Sequence, residues 1–181
     1  VGSEMCIRDS ASIGRMVEAF GDTALIGAGT VLTPEDAARV HEVGGKLVVS
    51  PNCDPDVIRR TVALGLQSWP GVLTPSECFA ALKHGATGLK VFPAFQMGTE
   101  GLRALRAVLP VEAQVFMVGG VGPGNFADWL KAGANGFGLG TSLYKPGDNA
   151  VDVTSTRPSA YMPASTATRR VEPLACSTST A

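Results

Sequence analysis

Trp69-Pro70-Gly71-Val72-Leu73-Thr74-Pro75-Ser76-Glu77 holds the transition that decides the fold. The apolar run from Trp69 to Val72 suits a buried strand. Thr74 can cap the exposed N–H groups of a helix start, and Pro75 fits its first position. Glu77, three residues after Thr74, completes a capping box. The helical stretch then closes at Gly85, where glycine accepts a left-handed turn.

The same sentence is written twice upstream. Leu25-Ile26-Gly27 runs into Thr33-Pro34-Glu35-Asp36 and ends at Gly44. Leu47-Val48-Val49 runs into Asp54-Pro55 and ends at Gly65, with Val57, Ile58, Val62 and Leu64 at helical spacing. Downstream the punctuation weakens. Gly88 to Phe92 reads as a strand before a helix from about Thr99 to Val108. Gln114 to Val118 reads as a strand before a helix from about Pro123 to Ala132, and Gly136 to Gly140 is a last strand. A strand-helix unit every twenty-odd residues means parallel strands joined by helical crossovers. The expected fold is therefore α/β, a (β/α)8 TIM-barrel type that is incomplete, with about six of eight βα units present.

Three segments follow: an anomalous stretch over 1–10, a partial barrel domain over 11–147, and a low-complexity or foreign tail over 148–181. Val1 to Ser10 shows neither strand alternation nor helical period before a helix-like segment from Ile13 to Phe20. The tail is rich in Ser and Thr among Pro, Arg and Ala, with no apolar face. A disordered tail and foreign sequence at both ends are two readings that stand side by side. Six strands without two neighbours would leave unpaired edges.

Length and composition agree with one globular domain: 181 residues, 45% hydrophobic, 17% charged. A net charge of -1 supplies no basic footprint for nucleic acid or anionic membrane. No apolar run reaches the roughly 20 residues of a membrane span, and no targeting signal is legible, so a cytoplasmic setting is expected. Cys6, Cys53, Cys78 and Cys176, and the two histidines His41 and His84, fall at no metal-binding spacing; free thiols and no metal are expected.

Chemistry concentrates on Lys90. Leu89 and Val91 share one strand face, and Lys90 and Phe92 the other. If the apolar pair packs on the helices, the lysine faces the barrel interior, where a neutral amine can attack a ketone and form an iminium. On strand pattern alone, a lysine snorkelling to solvent fits equally well. Gly119-Gly120-Val121-Gly122 and Gly138-Leu139-Gly140-Thr141-Ser142 close the last two strands, where this architecture commonly holds a phosphate on bare backbone N–H groups. Trp69 and Trp129 read as packing residues. Arg59-Arg60, Arg103 and Arg106 read as solvated helix faces.

Five motifs in barrel order carry a resemblance: Ile26-Gly27-Ala28-Gly29-Thr30-Val31-Leu32, Ser50-Pro51-Asn52, Pro70 to Glu77, Leu89-Lys90-Val91-Phe92-Pro93-Ala94 and Val118-Gly119-Gly120-Val121. From about Ile13 to Gly147 the chain resembles the 2-keto-3-deoxy-6-phosphogluconate and 2-keto-3-deoxy-6-phosphogalactonate aldolases. The resemblance implies a class I aldolase that needs no cofactor. It implies Lys90 as the Schiff-base lysine, and Thr30, Pro51 and Phe92 around the pyruvyl end. Gly119, Gly120, Gly140 and Thr141 would hold the phosphate. Val118 and Gly138-Leu139-Gly140 resemble the galactonate branch. The implied reaction cleaves 2-dehydro-3-deoxy-6-phosphogalactonate to pyruvate and D-glyceraldehyde 3-phosphate, and the family packs as trimers.

Departures matter as much. The family's first two strands, with a catalytic Glu and a substrate-binding Arg, have no counterpart here; Glu4 and Arg8 lie in the anomalous segment with no strand expected around them. Turnover is therefore expected to be impaired. Three other readings remain: the gluconate-specific enzyme, a phosphate-binding barrel isomerase without a Schiff base, and a non-catalytic fragment.

Overall fold

The computed structural model describes residues 2–6, 10–140 and 174–177. Its strands are β1 Gly2–Cys6, β2 Leu25–Gly29, β3 Leu47–Val49, β4 Gln67–Trp69, β5 Gly71–Val72, β6 Leu89–Val91, β7 Val115–Val118, β8 Gly136–Leu139 and β9 Leu174–Ser177. The helices are α1 Ser10–Phe20, α2 Pro34–Glu42, α3 Pro55–Ala63, α4 Pro75–Lys83, α5 Ala94–Arg106 and α6 Phe126–Ala132. Every strand pairing is parallel, in the order β4-β3-β2-β1-β9-β8-β7-β6-β5. β4 and β5 flank Pro70, which has no N–H for a ladder. They are two halves of one strand, so the ends of that order meet and eight strand positions close a barrel.

Capping sets the helix starts as the sequence implies. Thr33 accepts from the Asp36 N–H, and Asp54 from the N–H groups of Asp56 and Val57. The capping box of Thr74 and Glu77 is formed. α5 starts earlier than the sequence suggests, at Ala94, because a break at Gly98 (φ 68°) lets a first turn precede the regular helix. α6 starts later, at Phe126, since residues 123–125 form a turn first.

Two expectations are corrected. Gly2–Cys6 is a strand beside β2, with Glu4 in register with Gly27, so Glu4 does have a strand around it. Leu174–Ser177 is a strand as well, between β8 and β1. The edges expected to be open on β2 and β8 are thereby covered. Backbone N–H and C=O groups on an edge accept almost any extended segment, which is why side-chain periodicity did not reveal these two. Arg8 and Thr141 lie outside the described residues.

The core has two layers. Between strands and helices, Leu89, Val91, Val115, Met117, Phe137 and Leu139 pack with Leu102, Leu105 and Trp129. A second part of that layer holds Ile13, Ile26, Ala28, Val40, Val48 and Val57. Inside the barrel, Leu47, Val49, Trp69 and Phe116 form their own cluster. The rings of Trp69 and Phe116 lie 4.5 Å apart at 51°. Two glycines make room for them: a Cβ on Gly136 would sit 2.7 Å from the Phe116 ring, and one on Gly88 would sit 2.3 Å from Trp69.

Candidate active site at the carboxyl ends of the strands

Lys90 is the middle residue of β6, flanked by the fully buried Leu89 and Val91 on the helix side. Its register partners are Gly71 on β5 and Phe116 on β7. Residues in register share a face, so Lys90 shares the interior face with the Phe116–Trp69 cluster. Of the two orientations the strand pattern allowed, the structure has the inward one. The side chain is half-buried, and no hydrogen bond or ion pair engages its ammonium among the described residues. Phe92 neighbours it: the ring centroid lies 5.2 Å from Nζ, within cation–π range.

The other implied positions gather at the same end of the barrel. Thr30 follows β2 and is exposed, with φ 58°, a left-handed conformation rare for a β-branched residue. Pro51 follows β3, and its carbonyl oxygen lies 2.2 Å from where a Cβ on Gly71 would stand. Only glycine fits there. Gly71 is the register partner of Lys90, so a single strand lies between Pro51 and the lysine. Phe92 connects the lysine to β7: its ring is 3.5 Å from a Cβ position on Gly119. Gly140 follows β8, in a bend beyond Leu139. Backbone bonds between neighbouring loops hold this rim together, among them Ser50 N–H to Trp69 O at 3.1 Å and Phe92 N–H to Val72 O at 3.2 Å.

The turn after β7 is built to present donors. Gly119 and Gly120 have φ of 91° and 76°, and successive N–H groups in such a conformation form an anion-binding concavity. Among the described residues, none accepts from the N–H of Gly119, Gly120 or Val121. Gly119 uses its carbonyl to accept from the Phe95 N–H at 3.3 Å. Lysine and free amides are thus joined through one aromatic ring.

A profile of the family described as "Aldolase: KDPG and KHG aldolase" matches residues 6–157. This chain belongs to that family. The similarity extends to 46% identity over 153 residues with the 2-dehydro-3-deoxy-6-phosphogalactonate aldolase of Escherichia coli (strain K12), covering 84% of this chain and 74% of that one. A probable 2-dehydro-3-deoxy-6-phosphogalactonate aldolase of Rhizobium meliloti (strain 1021) is 54% identical over 129 residues, 71% of this chain and 61% of its own length. A solved structure titled "Native KDPGal structure" superposes with TM-score 0.80 at 37% identity, covering 86% of this chain and 88% of the other. The family is one of aldolases, so the chain is an enzyme by lineage with the barrel expected of it.

Around the site, the remaining groups are structural. Trp69 and Trp129 are buried, as expected of packing residues. Arg106 departs from the solvated role: its guanidinium donates to the Ala113 and Val111 carbonyls and ties down the loop before β7. Cys53 and Cys78 are free; burial pushes the Cys78 thiol up to about 12 and raises that of Cys53. No helix of the described residues is long and apolar enough to cross a membrane, and they form no cluster of three metal-ligating side chains. One residue that sequence reading passed over is Asn125, which bonds to both sides of the Gly119–Gly122 turn. Its position three residues after Gly122 was the available signal, since asparagine favours such local backbone bonds.

Proposed function

We propose that this chain is a class I aldolase that takes 2-dehydro-3-deoxy-6-phosphogalactonate to pyruvate and D-glyceraldehyde 3-phosphate through a Schiff base on Lys90. The observation that carries it is a half-buried lysine amine on the barrel's interior face, without an ion-pair or hydrogen-bond partner among the described residues, linked through Phe92 to backbone amides at Gly119–Val121 that none of the described residues engages. The galactonate branch is favoured by the names of the two relatives above and by Val118 and Gly138-Leu139-Gly140 in the sequence.

In this reading, Lys90 Nζ adds to the C2 ketone and water leaves, giving an iminium. A base accepts the C4 hydroxyl proton, and the C3–C4 electron pair flows into the iminium to give an enamine as glyceraldehyde 3-phosphate departs. The enamine is protonated at C3, and water hydrolyses it to pyruvate and free lysine. Thr30 and Pro51 would line the pyruvyl end and Phe92 would shield the amine. Gly119, Gly120, Gly140 and Thr141 would bind the phosphate through backbone N–H groups.

The interior-face residues of β2 to β8, from Leu25 through Gly138, include no carboxylate. Imine formation is therefore the step that the described residues support most directly, and proton removal at C4 is the step they support least. We place the reaction in the cytoplasm, since a phosphorylated acid does not cross an apolar bilayer unaided, and we propose a homotrimer as the working assembly.

Pyruvate release from the galactonate substrate and from its gluconate epimer, measured for wild type and Lys90→Ala, tests the reading. Lysine-dependent release that favours the galactonate epimer supports it. Release that survives Lys90→Ala refutes the Schiff base, and a gluconate preference refutes the branch.

A further inference from the structure

Asn125 stands at the N-cap of α6, and its side chain makes no bond to that helix. Asparagine in this place ordinarily accepts from an N–H two or three residues onward. Here the amide turns backward. Nδ2 donates to the Gly120 carbonyl at 2.9 Å, and Oδ1 accepts from the Gly122 N–H at 3.0 Å. One side chain therefore brackets Val121 and holds the carboxyl side of the turn that contains Gly119 and Gly120, both at positive φ.

That turn has reason to need holding. Consecutive glycines have the widest choice of backbone conformation, and most of those choices would scatter three N–H groups rather than converge them. On the β6 side, the Phe95 N–H fixes the Gly119 carbonyl. On the α6 side, Asn125 fixes Gly120 and Gly122. Neither restraint uses the N–H of Gly119, Gly120 or Val121. The turn is clamped from both flanks by groups that leave its donors free.

We infer that Asn125 is a positioning residue for anion binding, acting through the Gly119–Gly120 turn and not by touching the ligand. The inference rests on the assignment of that turn to phosphate made above. It names a residue whose loss alters phosphate affinity while leaving the lysine chemistry in place.

Inorganic phosphate is titrated calorimetrically into wild type, Asn125→Ala and Asn125→Ser. Each protein is also treated with pyruvate and borohydride, and its thermal midpoint is recorded. Alanine removes both bonds. Serine restores a good helix N-cap but is too short to span the turn. The expected result is about tenfold weaker phosphate binding in both variants, the size of loss that two hydrogen bonds to the turn can produce. Serine should keep the wild-type thermal midpoint, and pyruvate trapping should be unchanged throughout. Wild-type phosphate affinity in either variant overturns the inference. A parallel fall in trapping and midpoint in the serine variant also overturns it, by showing a general folding role. If wild type traps pyruvate but binds no phosphate, the phosphate assignment fails and this inference with it, while the Lys90 assignment survives.

Discussion

Lys90 Nζ lies 5.2 Å from the ring centroid of Phe92, and that ring in turn sits 3.5 Å from the Cβ position of Gly119. The ring is thus the physical bridge between a nucleophile in the barrel and a set of free backbone donors on its rim. Because Phe92 is 41% exposed, a cation–π contact here is worth only about 0.5–1 kcal/mol. The contact is too weak to act as a substitute for a counter-ion.

An ammonium on a half-buried face, with no counter-ion among the described residues, carries a stability cost. Lys90→Met keeps the apolar stem and removes the charge, so the thermal midpoint should stay level or rise by a few degrees, about 0–1 kcal/mol. Pyruvate trapping should vanish. A clear drop in midpoint would mean that the charge is compensated in a way the described residues do not show.

Thr30 offers the same trade in backbone form. A non-glycine residue at left-handed φ costs on the order of 1–2 kcal/mol, and glycine gives back part of that in unfolded-state entropy. Thr30→Gly should therefore be neutral to about 1 kcal/mol more stable by chemical denaturation. It should form the pyruvate imine less efficiently, because strain kept at a rim position points to use. Stability lost on substitution would refute the strain argument.

Space inside the barrel is already filled. An added methyl on Gly136 would meet the Phe116 ring at 2.7 Å, and Phe116 is the register neighbour of Lys90. Gly136→Ala is expected to cost about 1–3 kcal/mol in denaturant unfolding and to disturb trapping at Lys90. A neutral result would show that the ring can move aside.

Glu77 predicts a pH effect. Its carboxylate accepts from the Leu73 N–H at 2.9 Å, and from the N–H and hydroxyl of Thr74 at 2.8 and 2.7 Å. These bonds, that from Leu73 first, hold its pKa below the ordinary value of 4.5. A depressed carboxyl contributes stability that is fully present above the unfolded value and is lost as pH falls through the folded one. Wild type should therefore lose stability as pH drops below about 4.5. Glu77→Gln should be about 1 kcal/mol less stable at pH 7, and the difference should shrink in that acidic window. A gap that stays constant with pH would contradict this.

Much of this was legible because the signals are local. Thr74, Pro75 and Glu77 specify a helix start within four residues, and the structure forms the capping box they spell. Leu89-Lys90-Val91 left two directions for the lysine, inward or snorkelling to solvent, and only the register of Lys90 with Gly71 and Phe116 puts it on the interior face. The strands Gly2–Cys6 and Leu174–Ser177 were illegible because what holds them is backbone pairing to β2 and β8, which leaves no period in their side chains. Asn125 was missed for another reason. The helix expected from about Pro123 put it inside the first turn, whereas α6 starts at Phe126 and the Asn125 amide turns back onto Gly120 and Gly122.

The most direct test is reduction of the protein with borohydride in the presence of pyruvate, followed by peptide mapping. A single adduct on Lys90, suppressed in Lys90→Met, is the predicted result. An unmodified protein, or an adduct on Lys46, Lys83, Lys131 or Lys145 in place of Lys90, would contradict the account.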